Sequence, residues 1–149
     1  MKRLLLASLL LTVAGCATAT PQATSAVSLH GQRFSAELAT DDASREHGLM
    51  MRTELAPDHS MLFVFPDTQP RWFWMKNTLI PLDILYFGAD RKLVSMQLDV
   101  PPCKADPCPS YPSDAPARYV LELPAGTARR IGAEAGDELT VEGEIGTVR

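Results

Sequence analysis

The hydrophobic and polar positions of the chain change over short stretches, and most stretches have the two-residue period of β-strands. Residues 27–38 predict two strands around a turn at His30 and Gly31. Further strands are predicted where apolar runs end at turn-forming residues, at positions 61–65, 71–75, 82–87, 93–100, 119–123 and 138–144. Two short helices are predicted at residues 42–51 and 127–133. We therefore expect one mainly β domain over residues 27–149, a compact sandwich or barrel-like fold of about seven to eight short strands.

Composition and charge narrow the class of protein. The chain has 149 residues, which favours a single domain, and 46% of them are hydrophobic, enough for a real core. The formal net charge is −4, whereas nucleic-acid-binding proteins carry a basic footprint. We therefore expect no nucleic-acid partner, and we expect a monomer.

The first residues have the pattern of an export signal. Lys2 and Arg3 precede an apolar run of about ten residues, too short to cross a bilayer, which needs roughly 20. The run ends in Val-Ala-Gly-Cys16, which resembles the cleavage box of bacterial lipoproteins. The resemblance implies that residues 1–15 are removed and that Cys16 is lipidated, so that the chain is anchored to a membrane. An ordinary signal peptide with an incidental cysteine is the alternative.

The residues after Cys16 bear on the location of the protein. Residues 16–26 contain no large apolar side chain and predict a flexible tether. By the enterobacterial sorting rule, Ala17 in place of aspartate implies the outer membrane rather than the inner one. We expect a lipid-anchored protein of the bacterial cell envelope that faces the periplasm.

Residues 101–117 form a long predicted loop that carries six of the twelve prolines and both remaining cysteines. In an oxidising compartment, Cys103 and Cys108 are expected to form a disulfide that fixes the shape of this loop. Redox chemistry is less favoured, because four residues separate the cysteines where catalytic pairs favour two. A zinc site would need two further ligands at regular spacing, and the sequence has no such motif.

Several short motifs follow one another in a characteristic order. They are residues 45–52, 61–65, 73–78 and 81–83, the Cys103/Cys108 loop with Tyr111, and Leu121-Glu122-Leu123 before Ala125-Gly126. In this order and spacing they resemble the domain of unknown function 192 family over about residues 27–144. The resemblance implies a compact, mainly β, often exported domain, and it carries no established activity.

The densest polar cluster is Lys76-Asn77-Thr78, followed by Asp83. We expect these residues, together with Trp74, Arg52 and Glu122, to be candidates for binding a small polar or anionic ligand. The structural alternative is an ion pair of Lys76 with Asp83 or Glu122, in which case Asn77 and Thr78 satisfy backbone groups of the loop.

The run Trp72-Phe73-Trp74 has two interpretations. In a strand, the tryptophans share one face with Lys76, while Phe73 lies on the other face with Arg71 and Met75. The tryptophans could form a stacking platform for sugars, although an aromatic strand more commonly belongs to a core.

Other chemistry remains open. An enzyme acting on an envelope glycan or small molecule could use Asp83 or Glu122 as general acid or base. Arg45 and Arg52 could clamp an anion, or they could tie the predicted helix to neighbouring loops. Thioethers and imidazoles suit copper(I), and the candidates for such a site are Met50, Met51, Met61, Met75, His47 and His59. Our leading interpretation is a non-enzymatic binding domain without a cofactor or metal.

Overall fold

The computed structural model describes residues 25–149, and within them it has nine strands and two helices. The strands are β1 (Ser25–Leu29), β2 (Gln32–Ala39), β3 (His59–Gln69), β4 (Trp72–Trp74), β5 (Leu82–Phe87), β6 (Leu93–Val100), β7 (Ser110–Pro112), β8 (Ala117–Pro124) and β9 (Thr140–Glu142). The helices are α1 (Asp42–His47) and α2 (Thr127–Ile131). The predicted mainly β class with two short helices is confirmed.

Seven strands form one large sheet in the order β6-β5-β8-β3-β2-β1-β9. Its neighbouring strands are antiparallel except for the parallel pair β2 and β3. A bridge between Lys92 and Glu138 brings the two outer ends of the sheet near each other, but the sheet is not closed into a barrel. The remaining strands, β4 and β7, pair with each other in a small second sheet.

Both faces of the large sheet are covered. In β3, Leu62 and Val64 belong to one hydrophobic cluster, whereas Met61 and Phe63 belong to the other. The first cluster includes Ala128 of α2, and the second includes residues of the small sheet and of the turn after α1. β5 is buried along its whole length, because it lies between these two clusters.

The small sheet is fixed to the second face by aromatic contacts and a hydrogen bond. The ring of Phe73 packs edge to face on Phe63 and Tyr86, at centroid distances of 4.9 and 5.8 Å. The Tyr86 hydroxyl donates a hydrogen bond of 2.7 Å to the carbonyl of Tyr111 in β7. Because Phe73 points into the core, its neighbours Trp72 and Trp74 point outward.

Local chemistry explains where α1 begins and ends. The Asp41 side chain accepts a hydrogen bond from the Ser44 N–H, and the Ser44 hydroxyl accepts one from the Asp41 N–H, which forms a capping box. The helix ends before Gly48, which adopts a φ of 48° and lies where a β-carbon would be 3.2 Å from Phe63. It is therefore shorter than the predicted span of 42–51.

The loop prediction for residues 101–117 is partly confirmed. Cys103 and Cys108 are joined by a disulfide, with their α-carbons 5.6 Å apart. The same segment also contains β7, which the sequence did not predict.

The N-terminal predictions concern residues that the structure does not describe. The signal (1–15), the lipidation site Cys16 and most of the tether lie outside residues 25–149. The last two tether positions, Ser25 and Ala26, belong to β1 and are buried, because β1 pairs with both β2 and β9. Over residues 25–149, no helix has the length and apolar character needed to cross a membrane.

Candidate functional site

A cleft of about 390 Å³ separates α1 from β4. This volume is in the usual range for a small-molecule site. The residues that line the cleft come from α1, from the turn after it, and from β4 and its following turn; they are Ala43, Glu46, His47, Met50, Trp74, Lys76 and Asn77. The lining positions 43, 46, 47 and 50 have the spacing of one helix face, which explains why α1 and its first following turn form one wall.

The opposite wall is held in place by a turn. Asn77 has a φ of 56°, a conformation that asparagine tolerates better than most residues. Its carbonyl accepts a hydrogen bond of 2.8 Å from the N–H of Met51, which joins the two walls. The Lys76 ammonium lies 5.4 Å from the centre of the Trp74 ring. At that distance the indole attracts the cation.

A second, smaller cavity of about 30 Å³ adjoins the cleft and reaches the core. It shares its outer lining with the cleft, namely Glu46, His47, Met50, Trp74 and Lys76. Its inner lining includes Thr78, Phe63, Phe73 and Glu122. The space is large enough for about one water-sized group.

Glu122 is a carboxylic acid in the middle of the large sheet. It lies on β8 between Ile84 of β5 and Met61 of β3, and its relative exposure is 4%. Its Oε2 atom is buried without a hydrogen-bond partner among residues 25–149. Burial raises the pKa of Glu122 to about 8, so the neutral acid predominates at pH 7.

The expected ion pair between Lys76 and Asp83 is not formed. Asp83 is fully buried, and its two oxygens accept hydrogen bonds of 2.9 Å from the N–H groups of Asp99 and Ala128. Within residues 25–149, no ion pair joins Asp83 to Lys76. The structural alternative of a Lys76–Asp83 ion pair is therefore wrong, because Asp83 points toward α2 and β6.

The two arginines of the 45–52 segment are tied to the protein. Arg52 pairs with Glu37 at 2.5 Å, so Arg52 does not join the cleft as a ligand-binding candidate. Arg45 donates a hydrogen bond of 2.8 Å to the carbonyl of Val64 and another of 2.7 Å to Asp42. Arg45 thus ties α1 to β3, and Arg52, which lies beyond the end of α1, is tied to β2.

The tryptophans are not core residues. Trp72 is 67% exposed and Trp74 is 47% exposed, on the same face of β4. The core interpretation is therefore wrong for both tryptophans and right for Phe73.

The structure separates four of the six residues considered for copper, whereas His47 and Met50 line the same cleft. Met61 and Met75 are buried in the second cluster, whereas Met51 is exposed. The imidazole of His59 is paired with Asp58. In the part of the chain that the structure describes, no group of three or more histidine, cysteine, aspartate or glutamate residues is placed to hold a metal ion.

The cleft thus contains five of the predicted candidates, and the sequence missed two polar residues. Trp74, Lys76, Asn77, Thr78 and Glu122, which the sequence analysis named as ligand-binding candidates, line the cleft or its inner cavity. Glu46 was not predicted, and His47 was considered only for copper. Their helical spacing with Ala43 and Met50 was the available signal, but it does not show which wall the helix faces.

The arrangement offers complementary chemistry in a small volume. Lys76 is a cationic donor, and the neutral carboxyl of Glu122 can both donate and accept a hydrogen bond. Asn77 and Glu46 add amide and carboxylate groups, and Trp74 adds a flat apolar wall. Such a set can orient a small polar molecule.

Comparisons with known proteins agree with this fold. The family model described as DUF192, Uncharacterized ACR, matches residues 25–141. A protein from Sinorhizobium meliloti 1021, described as a proposed transcription regulator, is 40% identical, and its structure superposes with a TM-score of 0.72 over 83% of this chain and 98% of that chain. A protein of unknown function from Novosphingobium aromaticivorans DSM 12444 is 31% identical, with a TM-score of 0.71 over 85% of this chain and 94% of that chain. No curated protein matches the sequence.

Proposed function

The chain belongs to the DUF192 family, whose description gives no activity, and from the chemistry of the cleft we propose that it binds a small polar ligand between α1 and β4. Binding without chemical conversion is the primary proposal. The ligand reaches from Lys76 at the cleft to Glu122 in the inner cavity.

The observation that carries this proposal is the unpartnered carboxyl of Glu122. A buried polar atom without a hydrogen bond destabilises a fold by about 1–3 kcal/mol. A hydrophobic side chain of similar volume would fit among Phe63, Phe73 and Leu49, which line the same cavity. A buried polar group that lowers the stability of the fold and lines a cavity is expected at a functional site.

The neighbouring groups favour a ligand that has hydrogen-bond acceptors. The neutral acid of Glu122 can donate its proton to a ligand oxygen, and Lys76 can donate from the other end of the site. Trp74 favours a ligand that also has an apolar face.

An enzyme is the second candidate, and the raised pKa of Glu122 favours it. A carboxylic acid that stays protonated near neutral pH is suited to general acid catalysis. Glu46 lines the same space and would be the second carboxyl group. Asp83 is not a suitable general acid or base, because both of its oxygens accept hydrogen bonds from backbone N–H groups.

The description of the Sinorhizobium meliloti relative suggests transcription regulation, which we do not extend to this chain. The formal net charge of −4 does not favour contact with nucleic acid. The two helices of residues 25–149 have only six and five residues, short for reading a DNA groove.

For the cellular location, we propose that Cys16 carries the lipid of an exported, membrane-anchored protein. The support is the apolar run that ends in Val-Ala-Gly-Cys16, and the outer membrane is favoured by Ala17. A Cys16→Ser chain should stay unprocessed or leave the lipid fraction. Palmitate labelling of the Cys16→Ser chain would contradict this proposal.

The test of the binding function compares wild type with Lys76→Met in a thermal-shift screen of sugars, carboxylates and phosphates. A ligand that binds the folded state raises the melting temperature by mass action. We expect one of these classes of compound to raise the melting temperature of wild type and not that of Lys76→Met. Without ligand, the melting temperature of Lys76→Met should stay near that of wild type, because the methionine still packs on Trp74. Equal shifts of the melting temperature in both proteins, or no shift in wild type, would count against ligand binding in the cleft.

A further inference from the structure

The outward face of the small sheet carries an apolar stripe. Trp72 lies opposite Pro112, and Trp74 lies opposite Ser110, all four on exposed positions. Core packing does not explain the indoles, because Phe73 alone makes the inward aromatic contacts of this strand. Contiguous exposed apolar patches mark interaction sites and ligand-binding grooves.

This stripe is continuous with the cleft. Trp74 belongs to both, since it lines the cleft and lies on the outward face of β4. Trp72 is two residues away along the strand, a rise of about 7 Å. That step is comparable with the length of one sugar ring in an extended oligosaccharide.

We propose that the ligand of the cleft is a saccharide chain, with one ring stacked on Trp74 and the next ring on Trp72. This inference rests on the proposed binding function and deepens it. The hydroxyls of the inner ring contact Lys76 and Asn77 and point toward the cavity of Glu122.

The chemistry of a saccharide fits this combination of groups. A pyranose ring has an apolar face of C–H groups, which stacks on an indole, and an edge of hydroxyls, each of which donates and accepts hydrogen bonds. The site has the matching flat rings beside an ammonium, an amide and a neutral carboxyl. An inorganic anion would make no use of the indoles. A proline-rich peptide would use the indoles and would leave the polar cavity empty.

The test exploits the fact that the chain has only two tryptophans. In Trp72→Phe the fluorescence comes from Trp74 alone, and in Trp74→Phe it comes from Trp72 alone. Acrylamide quenching is measured for wild type and both variants with cellotetraose, chitotetraose, xylotetraose and maltotetraose, and with the corresponding single sugars. We expect one tetrasaccharide to reduce quenching at each tryptophan, and its single sugar to protect Trp74 only.

Affinity gives a second, independent readout by calorimetry. Trp72→Ala should weaken tetrasaccharide binding about tenfold and leave binding of the single sugar unchanged. Leu79→Ala, which removes another exposed apolar side chain outside β4 and the cleft lining, is the matched control and should bind like wild type.

The outcomes separate this inference from the binding function. If phosphate or a dicarboxylate stabilises wild type through Lys76 while no saccharide protects the tryptophans, the saccharide assignment is wrong and the binding function stands. Protection by an octaproline peptide without any saccharide effect overturns the assignment as well. If no probe binds, both proposals fail.

Discussion

The carboxylate of Asp83 on β5 accepts a hydrogen bond from the backbone N–H of Ala128, 2.9 Å away, in the first turn of α2. The N-cap residue of α2 is Gly126, which has no side chain to cap the helix, so a neighbouring strand supplies the acceptor. The other carboxylate oxygen binds the N–H of Asp99, which has a φ of 51° at a register shift between β5 and β6. Asp83 is thus a structural residue that joins three elements.

Replacing Asp83 should therefore reduce stability and leave the cleft chemistry intact. Asp83→Ala removes two charge-assisted hydrogen bonds, one from the buried N–H of Ala128 and one from the part-buried N–H of Asp99, which should lower the free energy of unfolding by about 3 kcal/mol. Urea unfolding measures the loss. Asp42→Ala, which removes a fully exposed carboxylate paired with Arg45, is the control and should change the free energy of unfolding much less than Asp83→Ala does. Equal effects of the two substitutions would refute the structural role.

The disulfide should make only a modest contribution to global stability. The loop that Cys103 and Cys108 close is short, so Cys103→Ser should cost roughly 2 kcal/mol or less in the chain-entropy model. The loop itself should loosen, which hydrogen exchange over residues 101–117 can follow. In the untreated protein both cysteines should resist alkylation, and free thiols would contradict the assignment.

Stability should depend on pH through Glu122. Its pKa is about 8 in the folded protein, whereas in the unfolded chain it is near its ordinary value of 4.5. Between these values the folded state holds more protons than the unfolded state, so stability falls as pH rises from about 4.5 to 8. The slope attributable to Glu122 approaches 1.4 kcal/mol for each pH unit.

The matched variant for this dependence is Glu122→Gln, which keeps the volume and has no charge to acquire. Urea unfolding at pH 5 and pH 8 should show wild type losing stability relative to the variant as pH rises. Parallel pH profiles for the two proteins would show that the carboxyl ionises normally in the folded state.

The hydrophobic pattern of the sequence predicted those strands well whose bounds depend only on their own residues. β5 and β6 have the predicted bounds, because each is an apolar or alternating run bounded by turn residues. β7 was missed because it has three residues, one of them Pro112, and forms by pairing with the distant β4. No local signal in a proline-rich loop specifies such a pairing.

The site was predictable in its residue types and not in its pairings. Lys76, Asn77 and Glu122 were identified because polar residues stand out in apolar surroundings. Asp83 stands out in the same way, yet its oxygens face backbone N–H groups of β6 and α2, whose positions depend on the tertiary fold. The place of Glu46 depends likewise on how α1 docks against β4.

The central claim is that Glu122 is kept for ligand binding at a cost in stability. The most direct measurement is the melting temperature of Glu122→Met with and without the ligand found in the screen, compared with wild type. Because methionine fills the same volume without an unpaired polar atom, the account predicts a free protein that is more stable by about 1–3 kcal/mol. It also predicts that the ligand no longer raises the melting temperature of Glu122→Met. A less stable variant that still responds to the ligand like wild type would contradict the account.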